Sequence, residues 1–277
     1  MNSDDRLLSN GIEPFTEALQ TLKIYCGIIL LSLARHSQEI RDKTISNFIA
    51  RGTVCTENIL SVWKEGSEAD AWVLHRSLLD RLFHLHDLIE RDSFLAFDEY
   101  SFLRIYETRH NLLCDKEMLN KFSASQIESF KRLMKSQKKR YQELKSEHDR
   151  WSRPKAENVA RSMNLNFLYR FGYDYASMYV HPMAQEGEND LIRLTTPSRH
   201  HSYPDSTVVK NSLLVHSLLI QEGLNGSSVK WMAVIYDFID HFREFLKDDR
   251  SRKFQQTFYK IDSAWPAVDF CKPRSDT

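Results

Sequence analysis

Along almost the whole of this chain apolar residues recur at three- and four-residue spacing, with no convincing series of alternating strand positions and no internal repeat. That periodicity predicts an all-α protein, a multi-helix bundle. The turn-forming residues agree. The 277 residues hold 8 glycines and 7 prolines, where average usage would supply roughly 19 and 14. Turn-rich β-sandwiches and glycine-rich phosphate-binding cores need more punctuation than this, so both are disfavoured. With 42% hydrophobic and 27% charged residues, the chain can afford a packed core.

Lys plus Arg and Asp plus Glu both total 38, so no overall field recruits nucleic acid or an anionic membrane, and any such binding must be local. The four cysteines, Cys26, Cys55, Cys114 and Cys271, are widely spaced and form no C-x-x-C pair. They read as reduced, mostly buried thiols, and no cofactor is expected. The opening MNSDDRLLSN lacks the basic-then-apolar order of a signal peptide, and the longest apolar run is Ile24 to Ala34. A cytoplasmic protein with no membrane association is the expectation.

Helices are predicted over Pro14 to His36, with Pro14 in the first turn, and over Gln38 to Lys64. A third opens at Ser67 and Glu68 and carries Leu74, Leu78, Leu82, Leu85 and Ile89 on one face. Further helices are expected from Ser93 to Leu113, Ser123 to about Arg150, Glu157 to Val180, Ser206 to Glu222 and Ser227 to Lys247. Together they make one helical domain, 1–277, with 123–155 a projecting basic arm and 182–205 a long loop. The aromatic tail, with Phe254, Phe258, Tyr259, Trp265 and Phe270, is expected to dock on the body or on a second subunit.

Between Lys131 and Lys155 ten Lys or Arg face only Glu143, Glu147 and Asp149. Lys131, Arg132, Lys135, Lys138, Lys139 and Arg140 are the candidate RNA contacts, and a solvated helix face is the simpler alternative.

No Walker loop, nucleophile elbow, H-E-x-x-H or metal-spaced cluster occurs. The polar groups within apolar helices remain. At 100° per residue Arg76, Asp80, His84 and Asp87 share an arc of roughly 80°, either the one wet edge of a nearly buried helix or the lining of a cleft. Asp174, Ser177 and His181, at i, i+3 and i+7, share a second face. His181 then sits on a final helical turn, where the helix terminus favours its protonated form.

The pairing of VLHRSLLDRLFHLHDLI with YDYASMYVHP resembles a bacterial family known as domain of unknown function 5677, over about Ala69 to Asp190. That family in turn resembles the HEPN group of helical bundles. The resemblance implies a metal-independent endoribonuclease of a bacterial stress, toxin or phage-defence system, acting on RNA as a homodimer. It equally implies the group's non-catalytic modules, which bind a regulatory protein partner or a nucleotide. In the ribonuclease reading His181 is acid or base, Arg76 stabilises the charged phosphorane, and Asp174 and Ser177 orient the histidine, with Asp80 beside Arg76. The sequence departs from the HEPN signature at one place: aligned on His181, the expected arginine is Ala176. Literal R-x(4–6)-H pairs elsewhere, Arg81 with His86, Arg104 with His110 and Arg193 with His200, are about as many as 21 arginines and 11 histidines produce by chance.

Overall fold

In the computed structural model the apolar periodicity becomes helix over most of the described residues, an all-α multi-helix bundle. Residues 3–146, 151–181, 187–195, 205–248 and 250–274 are described. They form two compact units, Met1–Asp87 with Pro154–Thr277, and Leu88–Arg153.

The larger unit is built on α1 (Ser3–His36), α2 (Ile40–Lys64), α3 (Glu68–Glu90, to Asp87), α11 (Thr207–Gly226), α12 (Ala233–Lys247) and α13 (Lys253–Ala264). Helix α2 packs on α1 and α11, and α12 on α11 and α13. The α2–α11 approach is close because glycines line it. A Cβ on Gly223 would lie 2.9 Å from both Ile45 Cγ2 and Ile49 Cδ1. Tyr25 stacks on Phe238 at 4.0 Å and donates to the Ile235 carbonyl at 2.7 Å, so a buried hydroxyl is satisfied inside an aromatic core. Burying a ring such as Phe238 contributes about 1.5–3 kcal/mol. Residues Glu13–His36 of α1 are long and apolar enough to cross a membrane, yet half of that stretch is buried inside the protein. The face carrying Leu22, Tyr25, Ile29 and Leu33 is core.

The boundaries differ from expectation at four places. Helix α1 begins at Ser3, so Pro14 is an interior residue rather than a first-turn one. The stretch expected to be one helix from Glu157 to Val180 is broken: α7 (Ala156–Ser162) stops where Asn164 takes a φ of 57°. Leu165 N–H then bonds Ala160 O at 2.8 Å and Asn164 N–H bonds Arg161 O at 3.1 Å, a closed C-terminal cap built on asparagine. The chain resumes as α8 (Asn166–Leu168), a π-helical turn (Tyr169–Asp174) and α9 (Tyr175–Ser177).

Third, Ser227 does not open a helix. Val229–Trp231 (β1) pairs antiparallel with Cys271–Pro273 (β2), and α12 starts only at Ala233. The buried Asp42 carboxylate holds the turn before β1, accepting from Ser228 N–H at 3.0 Å and from the Ser228 hydroxyl. Fourth, the 182–205 connection contains an eight-residue helix, α10 (Glu188–Thr195). Residues 182–186 and 196–204 of that connection, including Pro182, His200 and His201, lie outside the described residues.

The tail docks on its own chain. Phe254 and Phe270 are buried, and Phe254 meets Phe245 at 5.0 Å, while Tyr259 stays 72% exposed. All four cysteines are free, three of them buried and Cys114 exposed.

The smaller unit contains α4 (Phe94–Cys114), α5 (Lys116–Leu119) and α6 (Ala124–Ser146). Ser123 opens α6 through a reciprocal cap: its N–H reaches Gln126 Oε1 at 2.9 Å and Gln126 N–H returns to Ser123 Oγ at 3.3 Å. Helix α6 packs on α4 through buried Met134 and through Tyr141, stacked on Tyr106 at 4.1 Å. It is the basic arm, and it lies along a partner helix.

Candidate functional site

Helix α3 presents Trp72, His75, Arg76, Leu79 and Phe83 to the π-helical turn and the residues that follow it. The approach depends on Gly172. A Cβ there would lie 3.0 Å from Leu79 Cδ1 and 3.3 Å from His75 Nε2, so even a methyl group would require those side chains to give by a few tenths of an ångström. A π-turn is costly in isolation and recurs at functional sites.

Tyr173 is the hub. Its ring lies under the Arg76 guanidinium, 4.8 Å from carbon to centroid, and its hydroxyl accepts from Arg76 Nη2 at 3.3 Å. Tyr169 stacks on it at 5.6 Å and Phe83 tilts against it at 6.1 Å. The Tyr173 carbonyl accepts the Ser177 hydroxyl at 2.7 Å. Arg76, Tyr173 and Ser177 thus form one connected cluster. Arg76 is half-buried, and its Nε is buried without a hydrogen-bond partner among the described residues.

Helix α9 ends at Ser177, so His181 stands one turn past the helix rather than on its final turn, still tied by its N–H to Ser177 O at 3.3 Å. Its side chain is exposed, as is that of Asp174. No side-chain hydrogen bond joins His181 to Arg76, Asp174 or Ser177. Ala176, at the signature's arginine position, is fully buried. On α3, Asp80 and His84 are half-buried and Asp87 is buried at 5% exposure, so the polar strip descends into the protein at its C-terminal end.

Several members of this cluster were not anticipated from sequence. His75, next to Arg76, is fully buried, and its Nδ1 lies 2.8 Å from Ser212 Oγ. Ser212 donates its own hydrogen to Val208 O at 2.6 Å, so His75 carries its proton on Nδ1 and leaves Nε2, without a partner among the described residues, toward Gly172. Burial pushes the imidazole pKa down to about 3, which keeps it neutral. Tyr175 and Tyr179 share a hydroxyl contact at 3.0 Å, with the Trp72 edge on Tyr175 at 4.9 Å. Burial, and then the bond to Tyr175, hold the Tyr179 phenol well above its ordinary range. The available signal was the four-residue spacing of Tyr169, Tyr173, Ser177 and His181, and of Tyr175 and Tyr179.

In the smaller unit Lys131, Arg132, Lys135, Lys138, Lys139 and Arg140 are all exposed. Lys139 pairs with Glu143 at 3.7 Å. Arg140 is occupied structurally: it pairs with Asp98 at 3.1 Å and covers the Phe102 ring at 4.4 Å. Among the described residues no group of three or more His, Cys, Asp or Glu side chains gathers as a set of metal ligands.

Compared with known proteins, the chain matches no curated protein and no solved structure. A family profile does match, over residues 42–196, which takes in α2 through α10, the Arg76–Tyr173–Ser177 cluster, His181 and the basic helix α6. That match covers more than half of the 277 residues, and the chain belongs to the family of unknown function DUF5677.

Proposed function

We propose that the protein is a HEPN-like, metal-independent endoribonuclease of a bacterial stress or phage-defence system, acting as a homodimer with His181 as general acid and base. The observation that carries this reading is an exposed imidazole one turn beyond a cluster that fixes a guanidinium through Tyr173. In the reaction His181 takes the proton of a ribose 2′-hydroxyl, and the 2′-oxygen attacks the adjacent phosphorus. The P–O5′ bond breaks and the 5′-oxygen leaves with the proton that the His181 imidazolium returns to it, giving a 2′,3′-cyclic phosphate and a 5′-hydroxyl end. Arg76 would stabilise the charge on the phosphorane oxygens, and its face-on hold by Tyr173 spares it a reorganisation cost at that moment. The exposed cations of α6 would bind phosphates without reading sequence.

A second reading, a non-catalytic HEPN-like module for a regulatory protein or nucleotide, is favoured by one observation. Ala176 stands fully buried where the signature carries arginine, so no cation can point outward from that position. Incubating the purified chain with total RNA in EDTA separates the two. Cleavage that falls at least a hundredfold in His181→Ala and in Arg76→Gln supports the enzyme. Intact RNA under the same conditions supports the module.

A further inference from the structure

The π-helical segment leaves one face uncovered. Leu168, Gly172 and Ala176 are buried, whereas Phe167, Phe171 and Tyr175, each one position earlier, look outward at 67%, 62% and 38% exposure. The Phe167 and Phe171 rings meet each other at 5.0 Å and 35°. Tyr175 is fixed by the Trp72 edge and the Tyr179 hydroxyl. Met178, 44% exposed, and then His181 continue the outward stripe at three-residue steps. Two charged side chains, Arg170 and Asp174, also stand exposed along it. Arg170 makes no ion pair or hydrogen bond with another described residue.

We infer, resting on the ribonuclease reading of His181, that this stripe binds unpaired nucleotides of the RNA strand beside the scissile phosphate, with bases stacked on Phe167 and Phe171 and a phosphate on Arg170. An exposed ring pair by itself calls for a flat apolar partner, and a free guanidinium one position before Phe171 adds a demand for an anion at the same place. A nucleotide carries both, a π-face on its base and a charge on its phosphate. A second copy of the chain fits less well, because the dry core of a protein interface is depleted in charge and this stripe carries Arg170 and Asp174. Asp174 accepts hydrogen bonds only, so it suits the amino groups and 2′-hydroxyls of an unpaired nucleotide and keeps phosphates from its own position. The strand must be single, since in an A-form duplex the base faces are already stacked on one another and closed to the rings. The helical and turn residues from Phe171 to His181 span at most about 15 Å, a few nucleotides of an extended strand.

Fluorescence anisotropy of the full chain carrying His181→Ala tests the stripe without cleavage, using a labelled RNA strand and the same strand annealed to its complement. The single strand is expected to bind at least tenfold more tightly than the duplex. In that background Phe167→Ala and Phe171→Ala should each weaken the single strand roughly five- to a hundredfold, the worth of one stacked base, and the duplex less than twofold. Phe171→Trp should keep the affinity where Phe171→Leu, equally apolar, loses it. Both phenylalanines are exposed, so unchanged circular dichroism is expected of their variants. Arg170→Gln should make the fall of log affinity with log salt shallower by about one. Losses of this kind support the stripe whether or not the wild type cuts RNA. Cleavage by the wild type with unaltered binding in the phenylalanine variants overturns the stripe and leaves the ribonuclease standing. Three further results would overturn it: duplex bound as tightly as single strand, Phe171→Leu binding like its parent, or sedimentation in which Phe171→Ala turns a dimer into a monomer with RNA affinity intact, which assigns the face to a second copy.

Discussion

A half-buried guanidinium needs partners, and Arg76 finds them in one residue, the ring face and hydroxyl of Tyr173. Tyr173→Phe keeps the ring and removes the acceptor, so unfolding free energy measured in urea should fall by about 1 kcal/mol. Arg76 should still act, with reduced cleavage. The buried histidines make a second prediction at this scale. Burial pushes both His75 and His216 down to about 3. The folded state therefore holds them neutral where the unfolded chain, with an ordinary value near 6.5, binds protons. Their contribution to stability is complete above the unfolded value and falls as pH drops toward the folded one, at about 1.4 kcal/mol per pH unit for each histidine. His75→Gln should accordingly flatten the fall in stability between pH 6 and pH 4 relative to wild type. An unchanged slope would mean that His75 takes up its proton in the folded state. None of this was legible in the sequence, where His75 looks like a neighbour of Arg76. Its partner Ser212 is 137 positions away, and only tertiary packing brings the two together.

At the scale of elements, the helices were legible because one periodicity governs almost all of them, and their ends were legible where a local signal exists. Ser123 with Gln126 is such a signal. Gly66, with a φ of 87°, closes α2 with Ser67 N–H on Val62 O, and it too is readable as a glycine just past an apolar helix. The same ending built on Asn164 was not, since asparagine occupies the left-handed region less often than glycine. The π-turn was hidden for a different reason: it is set by how closely Gly172 can approach α3. Gly172→Ala should destabilise the protein by about 1–3 kcal/mol through contact with Leu79 and His75, and Gly223→Ala by a similar amount through Ile45 and Ile49. Chemical denaturation measures both, and a neutral Gly172→Ala would mean that the π-turn is not held by close packing. Helix α6 behaves otherwise because its inner face, not its lysines, holds it in place. Replacing Lys131, Arg132 and Lys135 with Glu should leave the fold intact and weaken RNA binding, with a shallower dependence of log affinity on log salt. Loss of affinity with an unchanged slope would place the phosphate contacts elsewhere.

For the molecule as a whole, the all-α fold was legible, but the contacts among the candidate residues were not. Arg76 and Ser177 were readable as polar groups on apolar helices, whereas His181 lies one turn past the helix end it was expected to occupy. That Tyr173 joins the first two follows from the π-turn. The reaction proposed for this assembly leaves a chemical record that a binding module cannot produce. The decisive measurement is the end chemistry of RNA incubated with the purified full chain in EDTA, compared with His181→Ala. Fragments bearing 2′,3′-cyclic phosphate and 5′-hydroxyl ends, made by wild type and at least a hundredfold slower by the variant, are the predicted result. Uncut RNA, fragments with 5′-phosphate ends, or equal cleavage by the two proteins would contradict the assignment of His181 as acid and base.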